Sequence, residues 1–142
     1  MTTALYTAEA HVTGGRDGHG RTSDGRLDLD LRQPKELGGD GEGANPEQLF
    51  AIGYAACFGT TLALIGRRAE LEASDARIDS SVALVPIDGG RFALGVELRI
   101  TLPSVTDEQA IELVETAHQV CPYSNATRGN IDVALMVNGT RL

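Results

Sequence analysis

A long stretch without a charged side chain, from Leu49 to Ile65, limits the folds open to this chain more than any other feature. Asn45 suits an N-cap, Pro46 suits the first helical position, and Gln48 stands three residues after the cap, as in a capping box. The sequence therefore predicts an α-helix that begins at Pro46. Because this helix is apolar on every side, the rest of the fold is expected to surround it, as a central helix.

A second helix is predicted after Thr106, which suits an N-cap and is followed by Gln109 in the capping-box position. Its apolar residues recur at spacings of four, three and four, so they share one face of the helix: Ala110, Val114, Ala117 and Cys121. Pro122 disfavours helical geometry at the residue before it, so this helix is expected to end near Cys121.

The other regular segments are typical of strands, because apolar and polar residues alternate or β-favouring types accumulate in them. Before the central helix, the sequence predicts a strand at 5–13, a glycine-rich loop at 14–20, a second strand, a third strand at 27–31 and a flexible connector at 32–44, which includes the glycine- and acid-rich residues 38–43. After the central helix, it predicts strands at 76–87 and 91–102 joined by a turn at 88–90. The second helix and a strand at 131–137 follow. Strands and helices in this order predict an α+β fold.

Size and charge narrow the class of protein. A chain of 142 residues fits one domain, residues 1–142. A formal net charge of −8 argues against nucleic acid and anionic membranes as partners, since both attract clustered Lys and Arg. Residues 1–6 do not resemble a secretory signal, and no run is expected to approach the ~20 apolar residues of a membrane span. We therefore expect a cytoplasmic protein.

The chain has two cysteines, Cys57 in the central helix and Cys121 directly before Pro122. In a reducing compartment, such cysteines are inert core residues, metal ligands or redox-active thiols. A zinc site would combine them with His118, but zinc needs four ligands and no second close pair of ligands exists. A redox pair and inert burial therefore remain the main alternatives.

Cys57 is the better candidate nucleophile if the pair is reactive. A thiol reacts as the thiolate, and the helix dipole fades within the first turn, so a cation has to lower the pKa of Cys57. The candidate cations are Arg16, Arg67, Arg68 and Arg128.

Glu47 precedes Cys57 by ten residues, which is about 15 Å of helix. The two side chains can therefore share a site only if two subunits contribute to it. The alternative is that Glu47 only complements the positive end of the helix dipole.

Four segments carry a resemblance to the organic hydroperoxide resistance proteins, which are thiol peroxidases of the osmotically inducible protein superfamily. They are residues 13–18 (TGGRDG), 45–50 (NPEQLF), 53–58 (GYAACF) and 120–130 (VCPYSNATRGN). The resemblance runs from about Tyr6 to Val137, and it implies antiparallel sheets wrapped around two central helices in an interwoven homodimer.

The resemblance also implies a role for each site residue. Cys57 falls on the peroxidatic cysteine, Cys121 on the resolving cysteine, Arg16 on the activating arginine and Glu47 on its carboxylate partner. Cys57 would then reduce a hydroperoxide to an alcohol and become a sulfenic acid, which condenses with Cys121 to a disulfide. No bound cofactor is implied, and the external reductant would be dihydrolipoamide or a lipoylated protein.

Apolar residues near Cys57, such as Phe50 and Phe58, favour alkyl and fatty-acid hydroperoxides as substrates. Two alternatives remain open at this point. The chain could be a general osmotically inducible peroxidase that also reduces hydrogen peroxide, or a redox sensor without turnover.

Overall fold

A computed structural model describes residues 2–142 of the chain. Contacts between residues divide the chain into two compact units, one ending at Leu49 and the other comprising Phe50–Leu142. Strands and helices both occur, so the prediction of an α+β fold is confirmed.

The first unit contains a three-stranded antiparallel sheet of β1 (Ala10–Thr13), β2 (His19–Thr22) and β3 (Asp28–Asp30). The predicted first strand at 5–13 is too long, because its partner β2 pairs only with Ala10–Thr13. The connector at 32–44 was predicted to lack regular structure, yet Lys35–Leu37 form one 3₁₀ turn. That turn is closed by Gly38, whose φ of 89° is in the left-handed region that suits glycine.

Helix α1 (Pro46–Arg68) begins where the sequence predicts. The Gln48 N–H donates to Asn45 Oδ1 over 2.9 Å, and the Asn45 N–H donates to Gln48 Oε1 over 3.1 Å. This reciprocal pair is the predicted capping box, and it satisfies two N–H groups that a helix start otherwise leaves unpaired.

The second unit contains a four-stranded sheet in the order β4 (Arg77–Ile87), β5 (Arg91–Thr101), β6 (Val133–Val137) and β7 (Thr140–Arg141). Antiparallel pairing is the rule, with one exception: β5 and β6 are parallel. The chain between them forms helices α2 (Asp107–Val120) and α3 (Pro122–Thr127), and such a long crossover allows two successive strands to run in the same direction.

The core of the second unit lies between this sheet and one face of each long helix. α1 contributes residues at helical spacing, Tyr54, Phe58 and Leu62, while β5 contributes Val96, Leu98 and Ile100. The apolar stripe of α2 continues into the fully buried Cys121, as the sequence predicts. The capping box of α2 at Thr106 is also present.

The opposite face of α1 is not covered within this chain. Ile52 is 71% exposed, and Ala56 and Thr60 are exposed at the spacing that places them on the same face. The predicted central helix is therefore surrounded on one side only by its own chain.

The expectation that no run approaches a membrane span is wrong on length and composition. α1 has 23 residues, and an 18-residue window within it has a mean hydropathy of 1.8. Its buried face, centred on Tyr54 and Phe58, nevertheless packs in a folded core, as the core helix of a water-soluble protein also does.

Tyr123 of α3 packs against α1 at Gly53. A Cβ atom at this position would lie 2.6 Å from Tyr123 Oη and 3.2 Å from Tyr123 Cζ. The tyrosine ring can therefore lie against α1 because residue 53 has no side chain.

We predict that Gly53→Ala lowers the free energy of unfolding, because overpacking costs about 1–3 kcal/mol while helix propensity returns about 1 kcal/mol. In a Tyr123→Phe background, the same substitution should cost less, since the nearest clashing atom is absent. Urea denaturation of the four proteins measures this difference, and an equal cost in both backgrounds would contradict the packing argument.

Candidate active site

The structure brings the two cysteines together. The Sγ atoms of Cys57 and Cys121 lie 3.5 Å apart, and both side chains are free thiols. Cys57 is half-buried on α1, whereas Cys121 is fully buried. The two thiols therefore differ in access, and a short movement would join them in a disulfide, whose S–S bond is about 2.05 Å long.

Cys121 occupies the corner between α2 and α3. It is the C-cap of α2 and the N-cap of α3, with an extended backbone at φ −60° and ψ 126°. Its N–H donates to Ala117 O, and its carbonyl accepts from the N–H of Asn125. Pro122 explains the corner, because it excludes helical geometry at Cys121 and is itself well suited to start α3.

Burial dominates the electrostatics of Cys57. It raises the pKa of the Cys57 thiol, because a thiolate loses solvation there. A backbone N–H from Tyr123, in the first turn of α3, acts in the opposite direction, whereas the neighbouring Cys121 raises the pKa further. No cation among residues 2–142 contributes to this balance.

The candidate cations of the sequence analysis are placed elsewhere. Arg67 and Arg68 lie ten and eleven residues after Cys57, about 15 Å further along α1. Arg128 donates to the carbonyl of His118 over 3.0 Å and also to the Asn125 side chain. These three arginines therefore do not act as the activating cation in this chain.

Arg16 and Glu47 form a two-pronged ion pair. Arg16 Nη1 and Nη2 donate to the two carboxylate oxygens of Glu47 over 2.8 and 2.6 Å. This contact raises the pKa of Arg16 and lowers the pKa of Glu47, so both groups are held in their charged forms. The side chain of Arg16 remains 33% exposed and that of Glu47 15% exposed.

The loop that presents Arg16 depends on glycine. Gly14 and Gly15 have φ values of 76° and 56°, and a Cβ atom at Gly18 would lie 1.9 Å from the carbonyl oxygen of Thr13. A tight loop with this path can accept few other residues. The structure thus supports the predicted pairing of Arg16 with a carboxylate.

A cluster of hydrogen-bonded polar side chains lies in the core, and the sequence does not predict it. Ser124 Oγ lies 2.7 Å from Tyr54 Oη and 2.8 Å from His118 Nδ1, and Thr127 Oγ1 lies 3.3 Å from Tyr54 Oη. Ser124 and Thr127 are three residues apart, so they lie on one side of α3. This spacing would have indicated a polar face if a helix after Pro122 had been predicted. Among residues 2–142, no group of three or more His, Cys, Asp or Glu side chains is placed to hold a metal ion.

Aromatic rings from α1 and α3 form a cluster on the two helices that adjoin the thiols. The ring of Phe50 packs edge-on against those of Tyr54 and Tyr123, with centroids 6.2 and 5.7 Å apart. Phe50 also lines a cleft of about 490 Å³ whose other walls include Phe92 and Ile131. Phe58 was expected beside the substrate, but it is fully buried in the core.

Comparisons with known proteins agree with this architecture. Residues 39–136 match the model of the OsmC-like protein family. An organic hydroperoxide resistance protein of Xanthomonas axonopodis pv. citri is 53% identical over 133 residues, which cover 92% of this chain and 93% of that protein.

Solved structures of similar proteins share the fold. An organic hydroperoxide resistance protein of Legionella pneumophila superposes with a TM-score of 0.91 at 47% identity, covering 95% of this chain and 98% of its own. The organic hydroperoxide resistance protein OhrB of Bacillus subtilis superposes with a TM-score of 0.87 at 44% identity, covering 95% and 100%. The chain therefore belongs to the OsmC-like family, among the organic hydroperoxide resistance proteins.

Proposed function

We propose that this protein is a thiol-dependent peroxidase that reduces organic hydroperoxides to alcohols. The observation that carries the proposal is the 3.5 Å approach of two free thiols, of which one is half-buried and the other fully buried. Two inert core cysteines would not need to meet at this distance. The accessible thiol suits attack on a substrate, and the buried one suits an internal second step.

The first step is attack of the Cys57 thiolate on one oxygen of the hydroperoxide. The O–O bond breaks, the leaving oxygen takes a proton and departs as the alcohol, and Cys57 becomes a sulfenic acid. The Cys121 thiolate then attacks the Cys57 sulfur, the S–O bond breaks and water leaves. An external dithiol reduces the resulting disulfide by thiol–disulfide exchange.

A second protomer supplies what the single chain lacks. The exposed face of α1, with Ile52, Ala56 and Thr60, is the kind of apolar surface that a subunit interface covers. Burial raises the pKa of Cys57 without help from a cation in the chain, so activation requires one from outside. We place Arg16 of one protomer, held by Glu47, beside Cys57 of its partner in a homodimer.

The aromatic cluster on α1, the helix that carries Cys57, favours organic over inorganic peroxides. Phe50 and its ring contacts offer apolar surface to an alkyl or fatty-acid chain, which the small, polar hydrogen peroxide cannot use. The names of the similar proteins agree with this substrate class. The proposed reductant is dihydrolipoamide or a lipoylated protein, because its dithiol can open the disulfide and close on itself.

We predict that Cys57→Ser abolishes turnover, whereas Cys121→Ser still performs one oxidation and stops as a sulfenic acid on Cys57 that dimedone traps. Peroxide consumption with dihydrolipoamide measures turnover, and intact mass measures the single oxidation.

The parent should consume cumene hydroperoxide at least about tenfold faster than hydrogen peroxide, because only the former gains apolar contacts.

Other results would select other functions. A folded, reduced parent that consumes no organic hydroperoxide would reject the peroxidase and favour a sensor without turnover. A higher rate with hydrogen peroxide would favour a general osmotically inducible peroxidase.

We further predict that Arg16→Ala raises the pH midpoint of Cys57 alkylation, because a nearby cation stabilises the thiolate while burial opposes it. At neutral pH the alkylation rate should fall about tenfold, since the thiolate becomes scarcer. The rate of reaction with iodoacetamide against pH measures the shift in a Cys121→Ser background. Arg141→Ala is the control, because Arg141 is exposed in β7, and an equal shift in both variants would count against a specific role for Arg16.

The arrangement of two chains around one site predicts complementation. A Cys57→Ser protomer paired with an Arg16→Ala protomer should recreate one intact site, in which the first supplies Arg16 and the second supplies Cys57. Unfolding and refolding the two variants together should restore about a quarter of the parental activity, because half of randomly assorted dimers are mixed. Activity no higher than the mean of the two separate variants would show that each site is built from one chain.

A further inference from the structure

Two buried hydroxyls and a half-buried histidine meet at the helices that carry the two thiols, and no step of the proposed reaction uses them. Ser124 Oγ stands between Tyr54 Oη at 2.7 Å and His118 Nδ1 at 2.8 Å. Tyr54 and Ser124 are fully buried, and His118 is half-buried. Each of these hydroxyls would be costly to bury alone, so each contact matters to the packing around it.

The positions of these residues relate them to the thiols. His118 lies three residues before Cys121, at the end of α2, and Ser124 lies three residues after it, on α3. Their hydrogen bond therefore spans the corner that carries Cys121. Tyr54 lies three residues before Cys57, about one turn earlier on α1, so the same serine also ties the corner to the helix that carries Cys57.

The hydrogen bonds of this cluster fit one arrangement of the three helices α1, α2 and α3. A serine hydroxyl has one proton and two lone pairs, so Ser124 can donate to at most one of these two neighbours and accepts from the other. Both bonds are satisfied only while α1, α2 and α3 keep their present positions. Burial and the nearby Arg128 lower the pKa of His118, so the imidazole is neutral at neutral pH and keeps one acceptor nitrogen.

We propose that His118 is a positioning residue for the resolving cysteine: through Ser124 and Tyr54 it holds the α2–α3 corner so that Cys121 Sγ stays within reach of Cys57 Sγ. The proposal rests on the proposed peroxidase function. It assigns to His118 a role in the second chemical step and none in the first, because among residues 2–142 the side chain of His118 makes no direct hydrogen bond to Cys57.

This role matters because the sulfenic acid has two competing fates. Attack by Cys121 forms the S–S bond and releases water. If that attack is delayed, a second hydroperoxide transfers its oxygen to the Cys57 sulfur and leaves as an alcohol, which gives a sulfinic acid that a dithiol does not reduce. The position of Cys121 therefore decides how often the enzyme inactivates itself.

The experiment follows the two steps separately in the parent, His118→Leu and His118→Asn. Asparagine is the matched control, because its amide places a polar atom near the position of Nδ1, whereas leucine removes the polar atom at similar bulk. Each reduced protein receives tert-butyl hydroperoxide and is quenched in acid at intervals. Intact mass then reports sulfenic acid, disulfide and sulfinic acid.

We expect Cys57 oxidation in His118→Leu to stay within about twofold of the parent, while disulfide formation slows about fivefold to tenfold, as the loss of one buried hydrogen bond implies. With excess peroxide, the sulfinic fraction should rise by a similar factor. His118→Asn should recover most of the parental disulfide rate. A merely structural loss would change both steps together or lower the melting temperature in parallel with the rates.

Two failures can be told apart. If the parent itself forms no disulfide, the proposed function fails. If the parent forms it and His118→Leu matches the parent in disulfide rate and sulfinic fraction, the positioning role is overturned. Tyr54→Phe keeps the ring and removes only the hydroxyl, so it tests the same chain of contacts should His118→Leu not fold, and a parental disulfide rate in Tyr54→Phe would equally overturn the proposal.

Discussion

Helix α1 carries no charged side chain between Glu47 and Arg67, so water is a poor environment for every face of it. Its own chain covers the face that contains Tyr54 and Phe58 and leaves the face of Ile52 open. Cys57 lies between these two faces and is half-buried as a result. Cys57 thus has the folded core on one side and an uncovered apolar surface on the other. If a second protomer covers that surface, as proposed, the fold of the dimer also determines the surroundings of the thiol.

Burial and reactivity make opposite demands on Cys57. A dry setting raises the pKa of the thiol and reduces the amount of thiolate, yet the same setting excludes water from the sulfenic acid and strengthens the field of any cation that does enter. The two-pronged bond between Arg16 and Glu47 fixes a permanent positive charge in one orientation, and in the proposed homodimer that charge would resolve this conflict. Placing that charge on a different chain from the thiol would make activation depend on assembly, so an isolated protomer would hold an unreactive cysteine.

The sequence predicts well those features whose signals are local. Asn45 and Thr106 cap their helices because the oxygen and the N–H that it accepts from lie only three residues apart. One local signal has two meanings, of which the sequence analysis gives only one. Pro122 predicts the end of α2, but it is also the first residue of α3. The turn at Asn138 and Gly139, both with positive φ, joins β6 to β7 and is a local signal that the sequence analysis does not use. The parallel pairing of β5 with β6 and the meeting of the two thiols depend on packing between distant segments, so only the family resemblance could suggest the thiol pair.

In the proposed reaction, the α2–α3 corner affects how much of the sulfenic acid becomes disulfide and how much becomes sulfinic acid. Cys121 is a single extended residue that forms a hinge between two helices, and each of its backbone hydrogen bonds stays within one of them: its N–H donates to Ala117, and its carbonyl accepts from Asn125. The bond between His118 and Ser124 closes that hinge from one side of the cysteine to the other, and Tyr54 attaches the closed hinge to α1. A change of about 1.5 Å separates the present Sγ distance from a covalent bond, which is small for a hinge but large for a packed core. In the proposed reaction, the disulfide forms fast only if the corner is held close to its final position beforehand. The polar cluster is suited to provide that restraint, and it would do so without placing another reactive group beside the sulfenic acid.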